Sequence, residues 1–188
     1  MKVTLAFAFL CSVLAALPAS AQSVVPVPHF DSVELEGGGH VVIRYGDAQQ
    51  VRLIQGSTEF TRFTVEDGGK LRIDACPHDC PHIYDLEVEI TMPHIEALAV
   101  DGGGVIDCDG GFPAPRRITL AIEGGGKIDT RAIDAEHATA AVDGGGDIRL
   151  RAEKELTAAI NGGGKIRYWG DPKVTRAIEG GGEVERGE

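Results

Sequence analysis

The chain has 188 residues, of which 43% are apolar and 25% are charged, and its formal net charge at pH 7 is −11. A chain this acidic repels nucleic acid and anionic lipid, so neither is an expected partner. Acidic and apolar residues alternate along the sequence, which excludes a disordered acidic tail and indicates a folded domain.

Residues 1–21 are predicted to be a signal peptide. Lys2 precedes an apolar stretch from Leu5 to Leu17, which is shorter than the roughly 20 residues that span a bilayer. Ala19-Ser20-Ala21 then has the small-x-small pattern that a signal peptidase cleaves. Leu10 precedes Cys11, where a lipoprotein site needs a small residue, so Cys11 is expected to leave with the peptide. We therefore expect export to the periplasm or the cell surface, with no membrane span in the rest of the chain.

Residues 22–94 are predicted to be an irregular β subregion that caps the regular part of the chain, since stacked repeats need a cap. Asp67-Gly68-Gly69 is typical of a hairpin turn, and Pro93 ends the last strand. Period-two alternation of apolar residues predicts the strands. These are His40 to Tyr45, Gln50 to Ile54, Phe60 to Glu66, Leu71 to Ala75 and Tyr84 to Met92.

Cys76, His78, Cys80 and His82 lie within seven residues and are the most unusual local feature of this region. Thiolates and imidazoles suit zinc or copper, so the four residues are a candidate metal site. Structural zinc sites usually draw on a second cysteine pair, which is lacking here. In an oxidising compartment a Cys76–Cys80 disulfide is the favoured interpretation, and the metal site is its alternative.

Residues 95–188 are organised by a repeat. Gly-Gly-Gly occurs six times in the chain, and the last five triplets begin 22, 20, 18 and 18 residues apart. The triplets begin at Gly37, Gly102, Gly124, Gly144, Gly162 and Gly180. The residues two before and two after each triplet are apolar and mostly β-branched, as in Ile122 and Ile128. Strands that share one frame and a period near 20 are typical of stacked repeats.

We therefore predict an all-β fold, in which residues 95–188 form a short right-handed parallel β-solenoid. Its apolar columns would line the interior, and small residues such as Ala121, Ala141, Ala159 and Ala177 would fit a narrow cross-section. Cys108 shares the apolar frame and is expected in the core. Gly145→Val is expected to distort a corner if that glycine has φ > 0. The alternative fold is a β-sandwich of antiparallel hairpins with glycine turns.

An acidic column accompanies the triplets, because the residue before each one is Asp, Glu or Asn. In the last five repeats these are Asp101, Glu123, Asp143, Asn161 and Glu179. Like charges on adjacent strands are destabilising, so something should offset them. Either the side chains accept bonds from glycine N–H groups, as in Asx-type turns, or the column binds Ca²⁺.

The chain resembles the putative auto-transporter adhesin, head GIN domain family. Three stretches carry the resemblance: 30–37 (FDSVELEG), 89–98 (EITMPHIEAL) and repeats such as 160–166 (INGGGKI). The resemblance implies an exported protein with β-helix-like coils, an adhesive role and no catalytic residues.

The primary hypothesis is a non-catalytic, adhesin-like binding module that presents a rigid acidic surface to a glycan or to an envelope or surface protein, without a cofactor. Pairing between the open ends of two copies is an expected form of self-association. The second hypothesis is a periplasmic metal-binding envelope protein that uses residues 76–82, and the third is a polysaccharide-acting β-helix enzyme. Stacked carboxylates would bring acid pairs within catalytic range almost anywhere, so their spacing does not favour an enzyme.

Overall fold

The computed structural model describes residues 23–188, so the predicted signal peptide and Cys11 lie outside the described residues. These residues form an all-β fold of fifteen strands in one sheet, without a helix between residues 23 and 188. Consequently this part of the chain contains no helix long and apolar enough to cross a membrane. The all-β prediction is confirmed.

Seven strands precede the regular repeats. They are β1 (Ser23–Val25), β2 (Ser32–Gly37), β3 (His40–Tyr45), β4 (Gln50–Gln55), β5 (Arg62–Glu66), β6 (Lys70–Asp74) and β7 (Glu87–Met92). The predicted strands in this region are recovered, although β5 and β7 begin later than expected. The hairpin prediction is also confirmed, because β5 and β6 pair antiparallel on either side of Asp67-Gly68-Gly69.

Eight further strands carry the repeats. They are β8 (Ala97–Gly102), β9 (Val105–Cys108), β10 (Arg117–Gly124), β11 (Lys127–Gly144), β12 (Asp147–Gly162), β13 (Lys165–Trp169), β14 (Lys173–Gly180) and β15 (Glu183–Arg186). All pairing among them is parallel. The alternative of antiparallel hairpins is therefore wrong for this region.

Two parallel ladders meet at the glycine triplets. The front ladder contains β2, β8, β10, the end of β11, the end of β12, and β14, which are the strands that lead into a triplet. The back ladder contains β3, β9, the beginning of β11, the beginning of β12, β13 and β15, which are the strands that leave a triplet. Because β11 and β12 belong to both ladders, the sheet folds back on itself.

The register of both ladders follows the glycine frame. Gly102, Gly124, Gly144, Gly162 and Gly180 are registered with one another in the front ladder. Gly37 is registered with Gly102, so the first triplet stacks on the others although it lies in the less regular half of the chain. The boundary between residues 94 and 95 stays a prediction, and the parallel ladders run across it.

The core lies between the two ladders. Alternation along each strand points one set of apolar residues inward, and these are almost completely buried. Leu35, Val100, Ile122, Val142 and Ile160 form one such column. Cys108 is buried as predicted, and this burial raises the pKa of its thiol far above the ordinary value, which leaves it protonated and unreactive.

The alanine prediction is wrong. Ala141, Ala159 and Ala177 are exposed and Ala121 is half-buried, because strand alternation turns residues beside an inward-facing one outward. The small inward-facing residues instead include Ala138, Ala140 and Ala158.

Candidate binding face

Three columns of side chains cross the outer surface of the front ladder, and we call this surface the front face. The columns form because residues of the same or similar type are registered on adjacent parallel strands. The threonine column contains Thr119, Thr139, Thr157 and Thr175. The alanine column contains Ala99, Ala121, Ala141, Ala159 and Ala177. The acidic column contains Glu36, Asp101, Glu123, Asp143, Asn161 and Glu179.

The alanine and acidic columns together line a groove with a volume of about 310 Å³. Alanine supplies the floor, and the acidic column with Asn161 supplies one wall. Because the central column carries only methyl groups, a partner can approach the front face without meeting a bulky side chain. The groove crosses the strands, so it runs along the stacking direction.

The acidic column is nearly free of compensating charge. Within residues 23–188, Asp101, Glu123, Asp143 and Glu179 form no ion pair, and Asn161 donates from Nδ2 to Asp143 Oδ1 at 3.3 Å. The column therefore concentrates negative charge along one edge of the front face.

Glu36 begins the column and differs from the later members in its surroundings. Arg72 Nη1 lies 3.1 Å from Glu36 Oε1. Partial burial raises the pKa of the Glu36 carboxyl above its ordinary value, and the nearby guanidinium of Arg72 opposes that rise. Neighbouring carboxylates, including Asp74 and Asp101, add to the increase. The upward direction of this shift follows mainly from burial, to which repulsion by the neighbouring carboxylates adds.

The glycine N–H groups are used by the backbone rather than by the acidic side chains. In four of the six triplets the middle glycine donates to the first glycine of the triplet before it, as in Gly125 N to Gly102 O at 2.9 Å and Gly145 N to Gly124 O at 2.8 Å. The predicted Asx-type capping is therefore wrong for these donors. Cation binding by the column stays a prediction, and residues 23–188 contain no group of three or more His, Cys, Asp or Glu side chains arranged to hold a metal ion.

On the outer surface of the back ladder, which we call the back face, acidic side chains lie beside basic partners. Lys127 Nζ lies 3.3 Å from Asp107 Oδ1, and His40 Nε2 lies 2.9 Å from Asp107 Oδ2. Further along the ladder, Arg167 Nε lies 2.9 Å from Glu185 Oε1. Carboxylates of the back face therefore have basic partners, whereas Asp101, Glu123, Asp143 and Glu179 of the acidic column have none within the described residues.

The predicted cysteine–histidine site lies in the loop between β6 and β7. The structure joins Cys76 to Cys80 in a disulfide. His78 and His82 are both exposed in the same loop. The thiolates that a zinc or copper site at Cys76, His78, Cys80 and His82 would need are thus used by the disulfide in this conformation.

The sequence analysis did not identify the threonine column, and it placed four members of the alanine column in the interior instead of on the outer surface. The sequence holds the signal for this placement, because residues two and four positions before each member of the acidic column face the same way as that member. Ile122 faces inward two residues before the triplet, which fixes Ala121 and Thr119 outward. Because β10, β11, β12 and β14 are in register, the outward-facing residues at these positions line up and form both columns.

Comparison with known proteins gives one family match. Residues 29–116 and 114–172 match the family model described as "Putative auto-transporter adhesin, head GIN domain". A search of curated proteins finds no match.

Solved structures with a similar fold include a putative adhesin from Bacteroides fragilis NCTC 9343. It is 16% identical, with a TM-score of 0.54, and the similarity covers 88% of this chain and 95% of that one. A putative adhesin from Parabacteroides merdae ATCC 43184 is 14% identical, with a TM-score of 0.41, and the similarity covers 89% of this chain and 96% of that one. A putative cell adhesion protein from Clostridium sporogenes ATCC 15579 is 13% identical, covering 88% and 97% with a TM-score of 0.42. The first of these supports the fold alone.

Proposed function

Because the chain belongs to the putative auto-transporter adhesin, head GIN domain family, we propose that it is an exported, non-catalytic binding module that acts at the cell surface. The family description supports an adhesive role. The proposed export rests on the N-terminal sequence pattern described above.

We further propose that the paired ladders form a short right-handed parallel β-solenoid. In-register parallel pairing of successive repeats supports a stack whose neighbouring strands lie about 4.8 Å apart. A stack of this kind is stiff, because each repeat is held by backbone hydrogen bonds to its neighbours. Stiffness matters for binding, since a preformed surface loses little conformational entropy when a partner docks.

The single observation that carries the proposal is the contrast between the two faces. Outward charges on the back face are paired, whereas four carboxylates of the acidic column on the front face are not. Like charges held together cost stability unless a partner of opposite charge compensates for them. The front face is therefore proposed as the partner-binding surface, and a glycan or an envelope or surface protein with cationic groups is its proposed partner.

The test removes the charge of the acidic column and keeps its shape. Glu123→Gln, Asp143→Asn and Glu179→Gln together should reduce binding of the purified protein to envelope fractions of its own cells. Because the attraction is electrostatic, wild-type binding should also weaken as salt is added. Binding is measured by co-sedimentation across a protein concentration series.

A matched control removes three exposed carboxylates elsewhere: Glu59→Gln, Asp85→Asn and Glu153→Gln. The control has the same net charge as the column variant, so a general charge effect would weaken both equally. Equal binding by the two variants would refute the front face as the binding surface.

A further inference from the structure

The last repeat differs from the others in having a free edge. Within the described residues β14 pairs only with β12, and β15 pairs only with β13. At the other end of the stack, antiparallel strands close both ladders: β5 beyond β6 and β4 beyond β7. A free parallel edge is a template for association with another chain unless something blocks it.

Both strands of the last repeat carry an arginine at a position that faces the core in earlier repeats. On β14, Arg176 occupies the position that Leu120, Ala140 and Ala158 occupy in the three preceding strands of the front ladder. On β15, Arg186 is registered with Tyr168, which is registered with Leu150. The side chains at these positions in the middle repeats are buried, whereas both arginines are exposed.

Arg176 reaches across the end of the core. Its Nη1 donates to the backbone carbonyl of Val184 on the opposite ladder at 3.4 Å. With Tyr168, Val174 and Val184, it lines a cavity of about 310 Å³ at this end. Arg186 is held near the same end by Asp171, with Nη1 3.4 Å from Oδ1.

The apolar column needs such a cover at this end. Ile160 is 2% exposed, whereas Ile178, which is registered with it in the last repeat, is 39% exposed. An approaching strand that paired with β14 would cover Ile178, but it would also strip water from the guanidinium of Arg176. Burial of an unpaired charge is costly, so the approach is disfavoured.

We propose that Arg176, assisted by Arg186, is an edge guard that keeps the C-terminal end of the stack from pairing with a second copy of this chain. The proposal is independent of the front face and of the partner that binds there. The guard would also oppose the expected pairing of open ends, because β14 and β15 are the only free parallel edges among the described strands, and they carry Arg176 and Arg186.

The test replaces the guard with residues that the same position already holds in earlier repeats. Arg176→Leu introduces the side chain of Leu120, and Arg176→Ala introduces that of Ala140 and Ala158. Sedimentation velocity should find the wild type monomeric, whereas the weight-average mass of Arg176→Leu should rise with protein concentration toward twice the monomer mass. Arg176→Ala keeps the test valid if the leucine variant fails to fold.

Lys173→Leu is the matched control, because it removes the same charge from the same strand at an outward-facing position. It should remain monomeric. Association of the wild type, a monomeric state of both Arg176 variants, or equal association of Lys173→Leu would each overturn the proposal.

Discussion

Glycine at the first position of each triplet meets a physical requirement that glycine at the middle position does not. Gly144 has a φ of +118°, and a Cβ there would lie 2.5 Å from the carbonyl oxygen of Gly124 in the neighbouring repeat. Gly145 has no atom within 4 Å of such a Cβ and no positive φ. The condition on which Gly145→Val was expected to distort the corner, a positive φ at Gly145, is therefore not met, and nothing in the structure explains glycine at the middle position.

Gly144→Ala and Gly145→Ala should separate these two positions. A side chain at positive φ costs about 1–3 kcal/mol, and the contact with Gly124 adds to this. The alanine at position 145 should change the free energy of unfolding by less than about 0.5 kcal/mol. Urea denaturation measures both values, and equal destabilisation would contradict the assignment of the corner.

Asp129 is the best example of a compensated charge on the back face. Its carboxylate is buried and accepts hydrogen bonds from Arg131, with Nε to Oδ1 at 2.9 Å and Nη2 to Oδ2 at 2.8 Å. Burial works to raise the pKa of Asp129, but the hydrogen bonds and charge of Arg131 outweigh it and hold the pKa below its ordinary value. The ionised carboxylate therefore stabilises the fold.

Asp129→Asn should lower the free energy of unfolding at pH 7 by about 1–3 kcal/mol, since it weakens charged hydrogen bonds. Because the pKa is lowered on folding, this stabilisation is fully present above the unfolded pKa of about 3.9 and is lost as pH falls further. The difference in free energy of unfolding between wild type and Asp129→Asn should accordingly become smaller in acid. Asp134→Asn, at an exposed pair with Arg151, should cost less than about 1 kcal/mol. A gap for Asp129→Asn that stays constant down to acid pH would contradict this role.

At the scale of elements, the repeat could be predicted from the sequence because residues of a strand that face the core must be apolar at every second position. Period-two alternation and β-branched residues around each triplet gave the strands and the buried columns that the structure has. What the sequence left open was the pairing partner of each strand. The N-terminal β2 and β3 joined the same ladders, which their irregular surroundings did not reveal.

Substitutions at Ile160 and Ile178 can test the stacking of the strands, because the two residues occupy the same position on adjacent strands but differ in burial. Ile160→Ala should cost about 2–5 kcal/mol, because it opens a cavity in a packed core. Ile178→Ala should cost about 1 kcal/mol or less, because its side chain is partly in water already. Thermal and urea unfolding compare the two, and a larger loss at Ile178 would contradict the exposed end of the stack.

At the scale of the whole molecule, the two faces divide the charge of the chain unequally. The charges of the back face lie in pairs, several of which join neighbouring strands, while the front face leaves four carboxylates unpaired beside small side chains. Sequence reasoning found the acidic column, because every triplet is preceded by Asp, Glu or Asn. It did not find the back-face pairs, since partners such as Arg167 and Glu185 meet only when their strands are registered.

The disulfide loop illustrates a different limit of the sequence. Cys76 and Cys80 were compatible with a disulfide or with a metal site, and spacing alone could not choose between them. The positive φ of Cys76 and Asp79 reflects the tight loop that the structure forms there. Apart from the prolines, no residue type in this segment predicts that conformation, so it could be found only in the folded chain.

Protease shaving of intact cells tests most directly the claim that this stack acts as a binding module outside the cell. Arg116 and Arg117 are exposed where the connection between β9 and β10 ends, so trypsin can reach them. We predict that intact cells yield tryptic peptides from residues 97–188 while a periplasmic control protein stays whole. Cleavage only after the outer envelope is opened would contradict surface binding.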